Sequence, residues 1–307
     1  MSLRMNVPVP RHAASPRRGF SLVELLIVIA IISILVGLIL AGIGPVRNRV
    51  RVAEVRTEIS GLESGITQFT GEFGQEPPSF ITLYEVGADW DTTSRTLMRQ
   101  LWSSFKFDMD RDIDKDTMVG ETDPDGDGKN GITLTGDECL LFFLGGPDTI
   151  NVAGSAVANG FSKNPEDPFA AGGTRVGPFF EFDPDRMIDL DGDRAHAYAH
   201  KFPASQAPYL YLSSYEGRGY RATDADMNGD GTADITDVYL QRDDDTSTAN
   251  VNEKIPWKAK SYQIISAGQD GEFGVGGLWS NDDGFKSRAG TLPDRDNVTN
   301  FASGTLE

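Results

Sequence analysis

The chain has 307 residues, with 28 Lys+Arg against 46 Asp+Glu, a net charge of −18, and 39% hydrophobic residues. That charge repels a phosphate backbone and disfavours a nucleic-acid binder, while the composition is too apolar for a wholly disordered chain and too polar for a multi-span membrane protein. A lone Cys139 excludes an intramolecular disulfide framework and a multi-cysteine metal site, and three histidines leave little material for histidine-based catalysis.

The charges fall in zones. Residues 1–19 carry four arginines and no acid, and residues 20–43 carry one charge, Glu24. Residues 44–75 balance four Arg against four Glu, and residues 76–307 hold 41 acids against 20 bases, a net of −21. A basic leader, an apolar rod and an acidic head follow one another, and such a head either repels itself or is neutralised by bound cations.

The rod, FSLVELLIVIAIISILVGLILAGI, runs 24 residues from Phe20 to Ile43. As a helix it reaches about 36 Å, enough to cross a ~30 Å hydrocarbon core. A signal anchor, or a signal peptide cut near Ala41–Gly44, explains the apolar run but not the carboxylate at its fifth residue. An acid at the centre of a span costs about 2.5–3.5 kcal/mol and less near an end, and it marks a functional group in need of a partner.

The stretch Arg17-Arg18-Gly19-Phe20-Ser21-Leu22-Val23-Glu24-Leu25-Leu26-Ile27-Val28-Ile29-Ala30 resembles the leader of type IV prepilins and type II secretion pseudopilins. The resemblance implies that a prepilin peptidase cuts between Gly19 and Phe20 and methylates the new amino terminus. It also implies that Glu24, then the fifth residue, pairs with the terminal amine of a neighbouring subunit as the filament assembles. The physics agrees, since a buried charge is tolerable when paired and costly when not. Arg11, Arg17 and Arg18 before the span nearly match Arg47, Arg49 and Arg51 after it. Orientation therefore rests on the resemblance, which places the leader in the cytoplasm and the head in the periplasm.

Past the span, Val55, Ile59, Leu62, Ile66, Phe69 and Phe73 recur at helical spacing, with Arg56, Glu58, Glu63 and Glu72 off that stripe. Pro45 predicts a kink or local break, and Gly74 with Pro77-Pro78 ends the helix. From residue 79 onward, short runs at Leu140–Leu144, Tyr209–Leu212 and Tyr262–Ser266 read as strands of a small antiparallel sheet between long loops.

Those loops are rich in aspartate. In Asp226-Met-Asn228-Gly-Asp230-Gly-Thr232-Ala-Asp234-Ile-Thr-Asp237, oxygen ligands fall at positions 1, 3, 5, 9 and 12, with glycine at 6 and the Thr232 carbonyl at 7. This is the spacing of a Ca²⁺ loop, with Asp at 12 as in a dockerin-type loop rather than the Glu of a sensor EF-hand. In DPDGDGKNG, starting at Asp123, position 12 is Leu134, so Asp137 or Glu138 would have to swing in. The alternating Asp108–Asp116 run and the Asp189–Asp193 cluster read as solvated acidic loops. The C-terminal stretch, Tyr262-Gln-Ile-Ile-Ser-Ala-Gly-Gln-Asp270-Gly-Glu-Phe-Gly and later Asp294-Arg-Asp296-Asn-Val-Thr-Asn300-Phe301, is similar to the end of the major pseudopilin of type II secretion. That likeness implies a structural Ca²⁺ held by Ser266, Asp270, Asp294 and Asp296. The 288 residues after Gly19 exceed a major pseudopilin, with the extra length mainly between 100 and 260.

Two readings from other classes compete. His196 and His200, spaced i, i+4 on a helical turn, would suit a zinc hydrolase, and a single-span calcium-loaded adhesin would need no Glu24. The expectation is an α+β pilin-like lollipop: leader 1–19, a long helix over 20–75 with residues 20–43 in the membrane, and an acidic Ca²⁺-binding head over 76–307. Its expected role is structural, not enzymatic, as a filament subunit.

Overall fold

The structure is a computed structural model that describes residues 20–113, 115, 131–150, 156–203, 205–227, 232–235, 238–241, 255–280, 284–285 and 293–306. The chain divides into two compact units, residues 1–49 and 50–307.

Helix α1, Leu22–Phe73, starts in the first unit and ends in the second. Among the described residues one helical stretch is long and apolar enough to cross a membrane: Leu22–Leu40, of mean hydropathy 3.1 and with none of it buried. Helical backbone continues through Pro45, so the expected break is absent. A proline removes one hydrogen bond from the ladder, and the turns on either side carry the helix across. At the far end Gly74 takes φ +81° and its N–H donates to the Thr70 carbonyl at 2.8 Å, which stops the helix before Pro77-Pro78.

In the second unit the stripe lies where its spacing puts it: Val55, Ile59, Leu62, Ile66 and Phe69 are buried and Phe73 is partly buried. Glu58 departs from expectation. It is buried too, because positions three and four apart share a helix face, and Glu58 sits between Val55 and Leu62.

The central sheet orders Val298–Thr299, Tyr262–Ser266 and Tyr209–Ser213, all antiparallel, with Tyr262 opposite Ser213 and Ser266 opposite Tyr209. Every residue of the two longer strands is buried. Their side chains alternate between two cores. Tyr209, Tyr211, Tyr262 and Ile264 join the stripe of α1 and the apolar residues of helices α2, Thr92–Leu101, and α3, Gly136–Gly145. Leu210, Leu212 and Ile265 join Tyr239, Leu240, Phe273 and Trp279 on the other face. Smaller pairings surround this sheet, and of these only Gly277–Leu278 with Tyr239–Gln241 is parallel.

Leu140–Leu144 is not a strand. It lies in helix α3, Gly136–Gly145, whose ten residues are all buried. A short apolar run buried all round has no helical or strand period to read. The informative signal is the Thr135-x-x-Glu138 capping box before it: the Thr135 N–H donates to Glu138 Oε2 at 3.0 Å. Within α3 the thiol of Cys139 is buried, donates to the Leu134 carbonyl at 3.5 Å, and is pushed well up from its ordinary pKa by burial.

α3 crosses the central sheet at Gly136. A Cβ there would stand 2.1 Å from the Tyr211 carbonyl oxygen and 2.7 Å from that of Asp224, both backbone atoms. Gly136→Ala is therefore expected to destabilise the protein by about 1–3 kcal/mol or more. Gly71→Ala, on an open helical surface with nothing within 4 Å, should stabilise it by roughly 0.5–1 kcal/mol. Denaturant unfolding of the two full-length variants beside the wild type checks both signs.

Candidate functional site

The N-terminal site begins at Phe20, which is 78% exposed. Ser21, Leu22, Val23 and Glu24 form a capping box: the Val23 N–H donates to Ser21 Oγ at 3.3 Å, and the Ser21 N–H donates to Glu24 Oε2 at 3.0 Å. The carboxylate thus reaches back toward the first residues of the helix. Gly19 and the rest of the leader lie outside the described residues. The Ser-x-x-Glu spacing was a readable capping signal that the apolar run obscures.

Of the 226–237 loop, Asn228, Asp230 and Asp237 lie outside the described residues, as do Asp114, Asp116 and residues 123–130 of the DPDGDGKNG segment. The described ends of the loop close on each other. The Met227 N–H donates to Asp234 Oδ2 at 2.7 Å, and the Asp234 N–H donates to the Ala225 carbonyl at 2.8 Å. Asp226 follows the short turn Ala222–Ala225, and Thr232 is exposed.

The C-terminal group is brought together in part. Asp296 rests on Gly268, where a Cβ would meet its carboxyl carbon at 2.5 Å, and it accepts the N–H groups of Gln269 at 2.5 Å and Asp270 at 3.1 Å. Among the described residues its Oδ1 is buried without a hydrogen-bond partner. Asp294 is fully buried and accepts the Tyr239 hydroxyl at 2.8 Å and the N–H groups of Gly276 at 2.8 Å and Val275 at 3.2 Å. Asp270 is exposed and accepts the Glu272 N–H at 2.9 Å. Ser266 Oγ lies 2.9 Å from His200 Nδ1.

His200 Nε2 lies 2.8 Å from Ser205 Oγ, and burial with the nearby Arg186 charge pushes its pKa down to about 4, leaving the ring neutral near pH 7. Ala197–Tyr198 is a strand paired with Met187–Ile188, so His196 and His200 do not share a helical turn. His196 Nδ1 faces the Arg194 carbonyl at 3.2 Å instead.

Two further groups were not assembled from sequence. Glu58 accepts both arms of the Arg186 guanidinium at 2.7 Å each, the Tyr209 hydroxyl at 2.6 Å and the Lys201 ammonium at 3.1 Å. Arg186 also lies 4.3 Å over the Tyr198 ring. Burial opposes ionisation of Glu58, but the hydrogen bonds from Arg186 and Tyr209 outweigh it and hold its pKa below the usual glutamate value. The second group is acidic: oxygens of Glu138, Asp191 and Asp193 lie within 4.8 Å of one another, beside Asp137. Burial first, and then mutual repulsion, pushes the carboxyls of Asp137, Glu138 and Asp193 upward.

Residues 15–40 match the prokaryotic N-terminal methylation motif. No curated protein and no solved structure matches the chain. The motif is that of a prepilin-type precursor, which implies processing by a prepilin peptidase and assembly into a filament. It overlaps the exposed apolar helix, as in a membrane-anchored pilin-like protein.

The Glu58 network sets a pH dependence. A carboxyl whose pKa is lowered on folding contributes stability above its unfolded value, near 4.5, and loses it as pH falls through the folded value. Glu58→Gln leaves the half-buried Arg186 without its anion and should cost about 2–4 kcal/mol at pH 7. The gap between variant and wild type should narrow below pH 4.5 in paired unfolding titrations.

Proposed function

We propose that the chain is a structural subunit of the pseudopilin class in a type II secretion system. It would be a single-pass inner-membrane protein with a periplasmic head that assembles with other pseudopilins into a filament driving export across the outer membrane. The observation that carries the reading is the coincidence of the methylation motif with an exposed apolar helical stretch interrupted by one carboxylate. Once Phe20 has a free amine, Glu24 is the anion within its apolar layer, and pairing the two across subunits fixes the stagger between neighbouring helices. The choice of secretion over a type IV pilus rests on the likeness of the C-terminal stretch to the major pseudopilin. The role is structural rather than catalytic.

Ca²⁺ is the cofactor of this reading. In the C-terminal loop the orphaned Asp296 Oδ1 suits a hard cation, with Asp270 alongside, whereas Asp294 has both oxygens engaged in hydrogen bonds. The 226–237 loop is the second place for Ca²⁺, through Asp226, Asn228, Asp230, Thr232, Asp234 and Asp237. Bound cations would offset the repulsion within a head of charge −21.

The test is mass spectrometry of the protein taken from its native membrane. An N-methylated Phe20 is expected; an intact leader or a cut near Ala41–Gly44 would discard the filament mechanism and favour a calcium-loaded surface anchor. Glu24→Ala should then leave the protein in the membrane while abolishing intersubunit cross-links between introduced cysteines.

A further inference from the structure

Two acidic segments far apart in sequence meet at the start of α3. Asp137 and Glu138 occupy its first turn, 1% and 5% exposed respectively. The helix terminus and its cap already hold these side chains in place: the Thr135 hydroxyl donates to Asp137 Oδ1 at 2.9 Å, and the Thr135 N–H donates to Glu138 Oε2. Against them comes the loop Asp189–Asp193, shaped by its own carboxylates. Asp189 Oδ1 accepts the Gly192 N–H at 2.8 Å, Asp191 Oδ1 that of Asp193 at 3.1 Å, and Asp193 Oδ1 that of Ala195 at 2.8 Å. Oxygens of Glu138, Asp191 and Asp193 converge within 4.8 Å.

A cluster of acids alone does not make a site. The added observation is Asp137 Oδ2, buried with the rest of that side chain and, among the described residues, without any hydrogen-bond donor. The Thr135 hydroxyl joins Asp137 to this group, lying 2.9 Å from Asp137 Oδ1 and 3.5 Å from Glu138 Oε2. A buried carboxylate oxygen with no donor, beside further carboxylates, is stable only if a proton or a cation sits among them.

We propose that Asp137, Glu138, Asp191 and Asp193 form a Ca²⁺ site distinct from the 226–237 and C-terminal loops. The donors are all hard carboxylate oxygens, which suit Ca²⁺ over Zn²⁺. They are irregularly disposed, which Ca²⁺ tolerates and the strict octahedron of Mg²⁺ does not. Asp191 is exposed and gives the ion access and room for water ligands. The ion would clamp the first turn of α3 to the loop that leads into strand Ala197–Tyr198. The site does not depend on the filament reading.

The experiment is calorimetric titration of the full chain in detergent with CaCl₂, beside thermal unfolding with and without chelator. Asp191→Asn/Asp193→Asn should lose one Ca²⁺-binding step that Asp226→Asn/Asp230→Asn retains. It should also lose part of the rise in Tm that Ca²⁺ gives the wild type. If the double variant does not fold, Asp191→Asn alone, altering the exposed member, should weaken that step by at least about tenfold. Unchanged Ca²⁺ titration with a raised Tm in chelator would overturn the proposal in favour of carboxyls sharing protons. Equal occupancy by Mg²⁺ in competition would overturn the assignment to Ca²⁺. Neither readout involves processing or assembly, so failure here and failure of the filament reading are separable.

Discussion

The antiparallel pairing of Tyr209–Ser213 with Tyr262–Ser266 is the contact on which the rest of residues 50–307 depends. Both strands are buried on both faces, so neither is stable until each face has a cover. One face is roofed by the apolar stripe of α1 and by α3, and the tyrosines that line it bring polar tips into that roof. This explains why a carboxylate belongs in the stripe. Glu58 takes the Tyr209 hydroxyl and is itself neutralised by Arg186, so the sheet, the helix and the turn Pro184–Arg186 meet at one hydrogen-bonded point. The other face is covered by an aromatic group in which Trp257 stacks on Phe301 at 5.3 Å.

Residues 22–40 pose the opposite problem. Among the described residues their apolar surface is exposed, and water is a poor environment for it. Lipid before assembly and neighbouring helices after it supply the same kind of surroundings, which is why one sequence can serve both states. The capping box at Ser21–Glu24 satisfies backbone donors at the helix start while keeping the carboxylate at the level of Phe20.

Much of this was legible in the residues. The α1 stripe, its glycine stop and the two long strands follow from period and turn chemistry, and the structure places them within a residue or so of expectation. Glu58 was misplaced because a hydropathy pattern treats an acid as surface, although its spacing from Val55 and Leu62 puts it on the buried face. Leu140–Leu144 was misread because burial on every side erases the alternation that separates helix from strand. The meeting of Asp137 and Glu138 with Asp191 and Asp193 spans some fifty residues of chain, and local spacing carries no signal for a tertiary contact of that kind. Two-residue strands such as Ala197–Tyr198 are likewise created by their partners rather than by propensity.

The position of Cys139 has a practical bearing on how such a filament can be mapped. Its thiol lies inside α3, shut off from solvent and held in the protonated form. The chain's one native thiol is therefore closed to disulfide exchange and to maleimide or spin-label reagents while the fold is intact. A cysteine introduced anywhere on the surface would be the sole reactive thiol, and labels or cross-links could be assigned to it without first removing the native residue.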